Sequence, residues 1–146
     1  MPTLVDDVDD VLLELGALAA PRHGLSRTAA ATLTRLQRSG PTRLTELATA
    51  EGVTQPTMSA LVTRLVDQGL LRRGGDPQDA RVVVLDLTPA GADLLAQRRS
   101  ARADRLARAL ADLSTADASR IADALPALAH LADALRRSTT STEVNR

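Results

Sequence analysis

The side chains best placed to do chemistry are Gln55, Thr57, Ser59, Thr63 and Arg64, on one side of a helix read from residue 55 to residue 65. Its other side is apolar, because Met58, Leu61, Val62 and Leu65 recur at helical spacing. The polar side is small and nearly free of carboxylates until Asp67. Its chemistry is hydrogen bonding to base edges, since short donors and acceptors on a helix reach the floor of a DNA major groove. Arg43, Arg73 and Arg81 flank the segment and bring the positive charge that phosphates attract.

Nothing comparable points to catalysis. His23 and His130 are far apart and the chain has no cysteine, so no ligand-spaced cluster for a metal is expected. Neither a nucleophile elbow nor a phosphate-cradling glycine loop occurs, and we expect no enzyme activity and no cofactor. The lack of cysteine also removes disulfides and thiol sensing. Phe, Tyr and Trp are absent too, which argues against RNA and single-stranded DNA, whose bases stack on aromatic rings. Duplex DNA needs no such platform.

The elements that must hold the polar face are legible on either side of it. Thr54 is a helix cap and Pro56 falls in the first turn, where a missing N–H costs nothing. Residues 45–51 read as a short helix ended by Gly52, with Val53 plugging the turn, so the pair forms a helix-turn-helix. Downstream, Gly69 stops the second helix. Residues 70–73 and 81–87 read as strands and residues 74–80 as a loop, which makes a hairpin wing. Residues 42–44 form a short third strand. Thr88 and Pro89 open the next helix.

These blocks resemble the MarR-type winged-helix transcription regulators. The matching stretches are residues 44–48, 52–59, 65–71, 76–81 and 87–91, ending in the wing's Asp79-x-Arg81 and in Leu87-Thr88-Pro89-Ala90-Gly91. The resemblance implies a dimer whose first and last helices interlock, with a winged helix on each shoulder. It implies an Asp79–Arg81 pairing that shapes the wing and aims an arginine at the minor groove. An ordinary hairpin ion pair is the plainer alternative. Several relatives carry a base-reading arginine where this chain has Ala60, so specificity here leans on Gln55, Thr57, Ser59 and groove shape. The resemblance also implies a small anionic or aromatic effector bound where the dimerisation arm meets the winged helix. Arg22, His23 and Arg27 are the candidates there, against the plain reading of a solvated turn.

The net charge of zero hides a polarised chain. Residues 1–21 carry five carboxylates and no arginine, residues 22–108 fourteen arginines against eight carboxylates, and residues 109–146 four against five. A basic centre suits phosphate binding. Arg98, Arg99, Arg102, Arg105 and Arg108 read as a solvated helix face. The first helix has a coiled-coil-like seam of Leu4, Val8, Val11, Leu15 and Leu18, and Pro21 ends it. Ser26 caps a second helix with Ala29, Leu33 and Leu36 inward. A long helix follows the wing to about residue 113. Ser114 and Asp117 resemble a capping box for the last helix, striped by Ile121, Leu125, Leu128, Leu131 and Leu135, where Pro126 should kink or split it.

The fold class expected is mostly α with a small β-hairpin wing. Residues 1–24 form a dimerisation helix, 25–91 the winged helix-turn-helix, 92–137 further dimerisation helices and 138–146 a flexible tail. DNA contacts are assigned to Arg43, Thr54, Gln55, Pro56, Thr57, Ser59, Thr63, Arg64, Arg73, Asp79 and Arg81. The partners expected are an inverted repeat of double-stranded DNA and a second copy of the chain, with no membrane and no RNA. The protein is expected in the cytoplasm, as a repressor released by an effector; the alternative is a winged-helix interaction module that no longer binds DNA.

Overall fold

The computed structural model describes residues 3–19, 24–76 and 78–144. Side-chain caps set where its helices begin. α1 (Leu4–Ala19) opens on a reciprocal box. In it, Thr3 Oγ1 accepts the Asp6 amide at 3.3 Å and Asp6 Oδ2 accepts the Thr3 amide at 2.8 Å. The Thr3 amide first, and second the Thr3 hydroxyl, which also donates to Asp6 Oδ2 at 2.8 Å, hold the Asp6 carboxyl below its usual pKa. α2 (Arg27–Ser39) begins as expected at Ser26, whose Oγ accepts the Ala29 amide at 3.1 Å. β1 (Thr42–Arg43) leads directly into α3 (Leu44–Ala50). Gly52 turns the chain with φ of 63°, a left-handed value that costs glycine little. α4 (Gln55–Asp67) then starts at Thr54, whose Oγ1 accepts the Thr57 amide at 3.4 Å, with Pro56 in the first turn.

β2 (Leu71–Asp76) and β3 (Asp79–Leu87) form the hairpin, and β1 adds to its other side, giving an antiparallel order β1-β3-β2. The third strand pairs Thr42 with Leu85 and Arg43 with Val84. The wing differs from the expected seven-residue loop. Gly74 pairs with Val84 and Gly75 with Val83, so the strands run on to Asp76 and resume at Asp79. Ladder pairing satisfies these backbone groups and outweighs the weak strand preference of glycine. A register shift at Gly75/Asp76 absorbs the misfit.

The core lies where α2, α3 and α4 meet the sheet. Leu33, Leu47, Met58, Val62 and Leu85 are wholly inaccessible, and Leu36, Leu61, Leu65 and Leu71 nearly so. Each such side chain stabilises the fold by about 1.5–3 kcal/mol relative to exposure. The one buried polar residue among those described, Thr32, returns its hydroxyl to the Thr28 carbonyl at 2.9 Å.

α5 (Pro89–Ala111) is locked to the end of α4 through Thr88. The Thr88 amide donates to the Leu70 carbonyl at 3.1 Å and its hydroxyl to the Gly69 carbonyl at 2.6 Å. The Gly91 amide caps on that hydroxyl at 3.0 Å. A Cβ on Gly91 would fall 2.4 Å from the Leu70 carbonyl oxygen and 2.7 Å from Leu87 Cδ1. Only glycine fits this crossing.

The chain divides into two compact units, residues 1–104 and 105–146. The second contains α6 (Thr115–Val144), which continues through Pro126 as one helix and is not split. It also extends over residues 138–144, where the sequence suggests a frayed tail, and Ser138 Oγ donates to the Ala134 carbonyl within it. Ser114 Oγ accepts the Asp117 amide at 3.1 Å but donates to the Asp117 carboxylate at 2.7 Å. The box is therefore half formed: the carboxylate takes the hydroxyl instead of the Ser114 amide. The apolar stripes of α1 and α6 lie open, with Leu4 at 79%, Leu18 at 61% and Leu125 and Leu135 at 57% exposure. No helix among the described residues is long and apolar enough to cross a membrane.

Candidate nucleic-acid interface

α4 turns its buried stripe of Met58, Leu61, Val62 and Leu65 into the core, so the rest of its surface faces outward by default. Gln55, Pro56, Thr57, Ala60, Thr63 and Arg64 are exposed and Ser59 is half-buried. The hydroxyls of Thr54 and Thr57 bond each other at 2.8 Å across the first turn, and the Thr54 hydroxyl also holds the cap. Thr63 is more committed than the sequence implies. Its hydroxyl donates to the Ser59 carbonyl at 2.9 Å and accepts from Arg73 Nη2 at 2.7 Å. Thr63 and Arg73 therefore tie the helix to β2, a positioning role that residue type alone does not reveal.

A groove of about 550 Å³ runs between the first turn of α4, β1 and β3, and Arg43, Gln55, Ser59 and Arg81 line it. Asp79 and Arg81 are joined, but through the main chain: the Arg81 amide donates to Asp79 Oδ1 at 2.9 Å. This shapes the turn and leaves the Arg81 guanidinium with no hydrogen bond or ion pair among the described residues. Arg43 instead meets Asp76 at 2.7 Å, which raises the Arg43 pKa by hydrogen bonding first and charge second. Arg72 pairs with Asp86 across the hairpin, and its hydrogen bond holds the Asp86 carboxyl below the usual range. The groove thus joins exposed donors on a helix to guanidinium groups on the strands beside it, a surface suited to base edges and phosphates together.

A second cavity, of about 700 Å³, lies between α1, α2 and α5 within residues 1–104. Arg27 lines it; Arg22 and His23 lie outside the described residues. Arg38, Arg98, Arg99 and Arg102 line it as well, and no lining residue is a carboxylate. Three of the arginines read as a solvated face of α5 thus belong to a concave site. Their spacing carries no sign of it, because a solvated stripe and a cavity wall share one helical period. No group of three or more His, Cys, Asp or Glu able to hold a metal occurs among the described residues.

The model of the MarR family matches residues 25–83, from the residue before the α2 cap to the middle of β3. An uncharacterized HTH-type transcriptional regulator of Mycobacterium bovis is 30% identical over 113 residues, covering 77% of this chain and 79% of its own length. The HTH-type transcriptional repressor NicR of Pseudomonas putida is 41% identical over 64 residues, covering 44% of this chain and 40% of its own. Among solved structures, a transcriptional regulator from Thermotoga maritima superposes with a TM-score of 0.73 at 25% identity, over 87% of this chain and 94% of that one. A mutant of S. aureus MepR bound to an oligodeoxyribonucleotide shares the fold with a TM-score of 0.67 at 22% identity, over 90% of this chain and 99% of that one.

Proposed function

The chain belongs to the MarR family of transcriptional regulators, and from that premise we propose that it is a homodimeric repressor of an inverted-repeat operator, released by a small anion. The observation that carries the DNA reading is the groove that brings Arg43 and Arg81 beside Gln55 and Ser59. α4 enters the major groove there, with Gln55, Thr57 and Ser59 toward base edges and Pro56 close to the backbone. Arg64, Arg73 and the wing's Arg81 supply phosphate and minor-groove charge, while Asp79 fixes the wing turn. The oligonucleotide bound to MepR and the repressor role in NicR's name point the same way.

The exposed stripes of α1 and α6 supply the dimer contact, because leucines at helical spacing gain free energy only when a partner covers them. The arginine-lined cavity, which includes Arg27 of the candidates Arg22, His23 and Arg27, is the proposed effector site. A lining rich in arginine, with no Asp or Glu among the lining residues, favours an anion, and a chain without Phe, Tyr or Trp offers little for an aromatic ligand to stack on. Such an anion releases DNA only if it binds better to the dimer whose two α4 helices are wrongly spaced.

Selection of fragments from random duplex DNA by the purified protein tests the central claim. We expect an inverted repeat with half-sites about one helical turn, ~34–36 Å, apart. Recovery of no sequence would instead support a winged-helix interaction module.

A further inference from the structure

Arg43 and Asp76 stand on the two outer strands of the sheet, with β3 between them. Arg43 is level with Val84 of β3, and Val84 is level with Gly74 of β2. The guanidinium therefore reaches across β3 to Asp76, two residues further along β2, where Nη2 donates to Oδ2 at 2.7 Å. Gly74 and Gly75 put no side chain in the way. The other carboxylate oxygen, Oδ1, accepts the Gln78 amide at 2.9 Å and closes the wing turn. The Asp76 side chain is 13% accessible while Arg43 remains 49% accessible, so the carboxylate is tucked under a cation that still faces the groove. Both bonds, the Gln78 amide more than Arg43, hold the Asp76 carboxyl below its usual pKa, and it is charged at neutral pH.

We propose that Asp76 is an internal competitor for DNA phosphate: it holds Arg43 across the wing in the unbound protein, and Arg43 must exchange this carboxylate for the backbone of a duplex. The proposal rests on the reading of this groove as the DNA interface. Its energetic logic is an exchange of one anion for another. A phosphate bound by a free guanidinium releases its condensed counterion outright, whereas a guanidinium taken from a carboxylate leaves behind a charge that must find a cation. The exchange lowers affinity and salt dependence on every duplex alike and leaves base preference to α4. A partly exposed ion pair is worth little on a folding scale, yet an effect of that size is visible in binding.

The test uses the full-length protein, a duplex recovered from the random pool and a scrambled duplex. Asp76→Asn keeps an oxygen for the Gln78 amide and removes only the charge. It should bind both duplexes roughly two- to fivefold more tightly at low salt, the size of an exposed pair. The plot of log affinity against log salt should steepen by up to about one unit. In an Arg43→Ala background the same substitution should gain much less, because the carboxylate then has no Arg43 to withhold and only its general repulsion of phosphate is relieved. If Asp76→Asn does not fold, by circular dichroism and thermal melting, Asp76→Ser keeps an acceptor for Gln78 and serves the same comparison. A folded variant that binds no better than the parent overturns the exchange, as does a gain that survives undiminished in Arg43→Ala. A parent that binds no duplex at all overturns the interface reading, and this inference with it.

Discussion

Within the groove, Gln55 and Arg81 should fail in different ways. Gln55 is exposed in the first turn of α4, and its amide is the longest neutral donor and acceptor on that face. Gln55→Ala should cost about 1–3 kcal/mol on the selected site and relax preference at one base pair. Arg81→Ala should weaken binding to selected and scrambled duplexes alike, lowering the salt slope by roughly one unit per lost phosphate contact. The Arg81 amide, which makes the bond to Asp79, survives that substitution, so the wing turn keeps its shape. Titrations at several salt concentrations separate the two. An Arg81→Ala variant that matches the parent on both duplexes at every salt would show that the wing does not touch DNA.

At the scale of elements, the winged helix is held by two junctions with different chemistry. The first is the crossing of α5 over the Gly69–Leu70 backbone. Gly91→Ala places a methyl 2.4 Å from the Leu70 carbonyl oxygen, so helix and strand must part. We expect a loss of about 1–3 kcal/mol, typical of overpacking, seen as a lower midpoint in urea. An unchanged midpoint would mean the junction yields freely. The second junction is the Arg72–Asp86 pair across β2 and β3. Its hydrogen bond depresses the folded carboxyl pKa, so the pair stabilises the fold above the unfolded value of about 3.9 and is lost as pH falls through the lower folded value. Asp86→Asn should therefore melt below the parent at pH 7, and the two should converge on acidification past the ordinary carboxylate range. A gap that persists in strong acid would assign the loss to packing.

For the whole molecule, the open leucines of α1 and α6 are the surface on which the proposed dimer would form. A single copy leaves Leu15, Leu18, Leu125 and Leu128 about half exposed, arranged as stripes instead of scattered. The protein should sediment as a dimer at micromolar concentration. Replacing Leu125 and Leu128 together with Asp should give monomers with little helix lost from residues 1–104, as read by sedimentation and circular dichroism. A variant that remains a stable dimer would place the contact elsewhere. Anion binding is read on the same scale: if the arginine-lined cavity gates DNA, Arg38→Ala with Arg102→Ala should raise the anion concentration needed for release and leave anion-free DNA binding in place.

What could be read without coordinates was whatever is decided within about one helical turn. The apolar stripe of α4, the caps at Ser26, Thr54 and Thr88, and the Gly52 turn are all local: a hydroxyl meets an amide three residues on, and side chains four apart share a face. The family resemblance extended this to the order of the elements. It could not show which partners meet across the sheet. Arg43 finds Asp76 thirty-three residues away and Arg73 finds Thr63 ten residues away, distances with no helical or strand period to announce them. The length of the wing strands was hidden for a related reason, since Gly74 and Gly75 take their conformation from pairing with β3 and not from their own preference. The same holds for Arg98, Arg99 and Arg102, which look like solvated charges in a line of sequence. They become the wall of a cavity only because α1, α2 and α5 pack around one concave space, and that packing is a property of the tertiary structure alone.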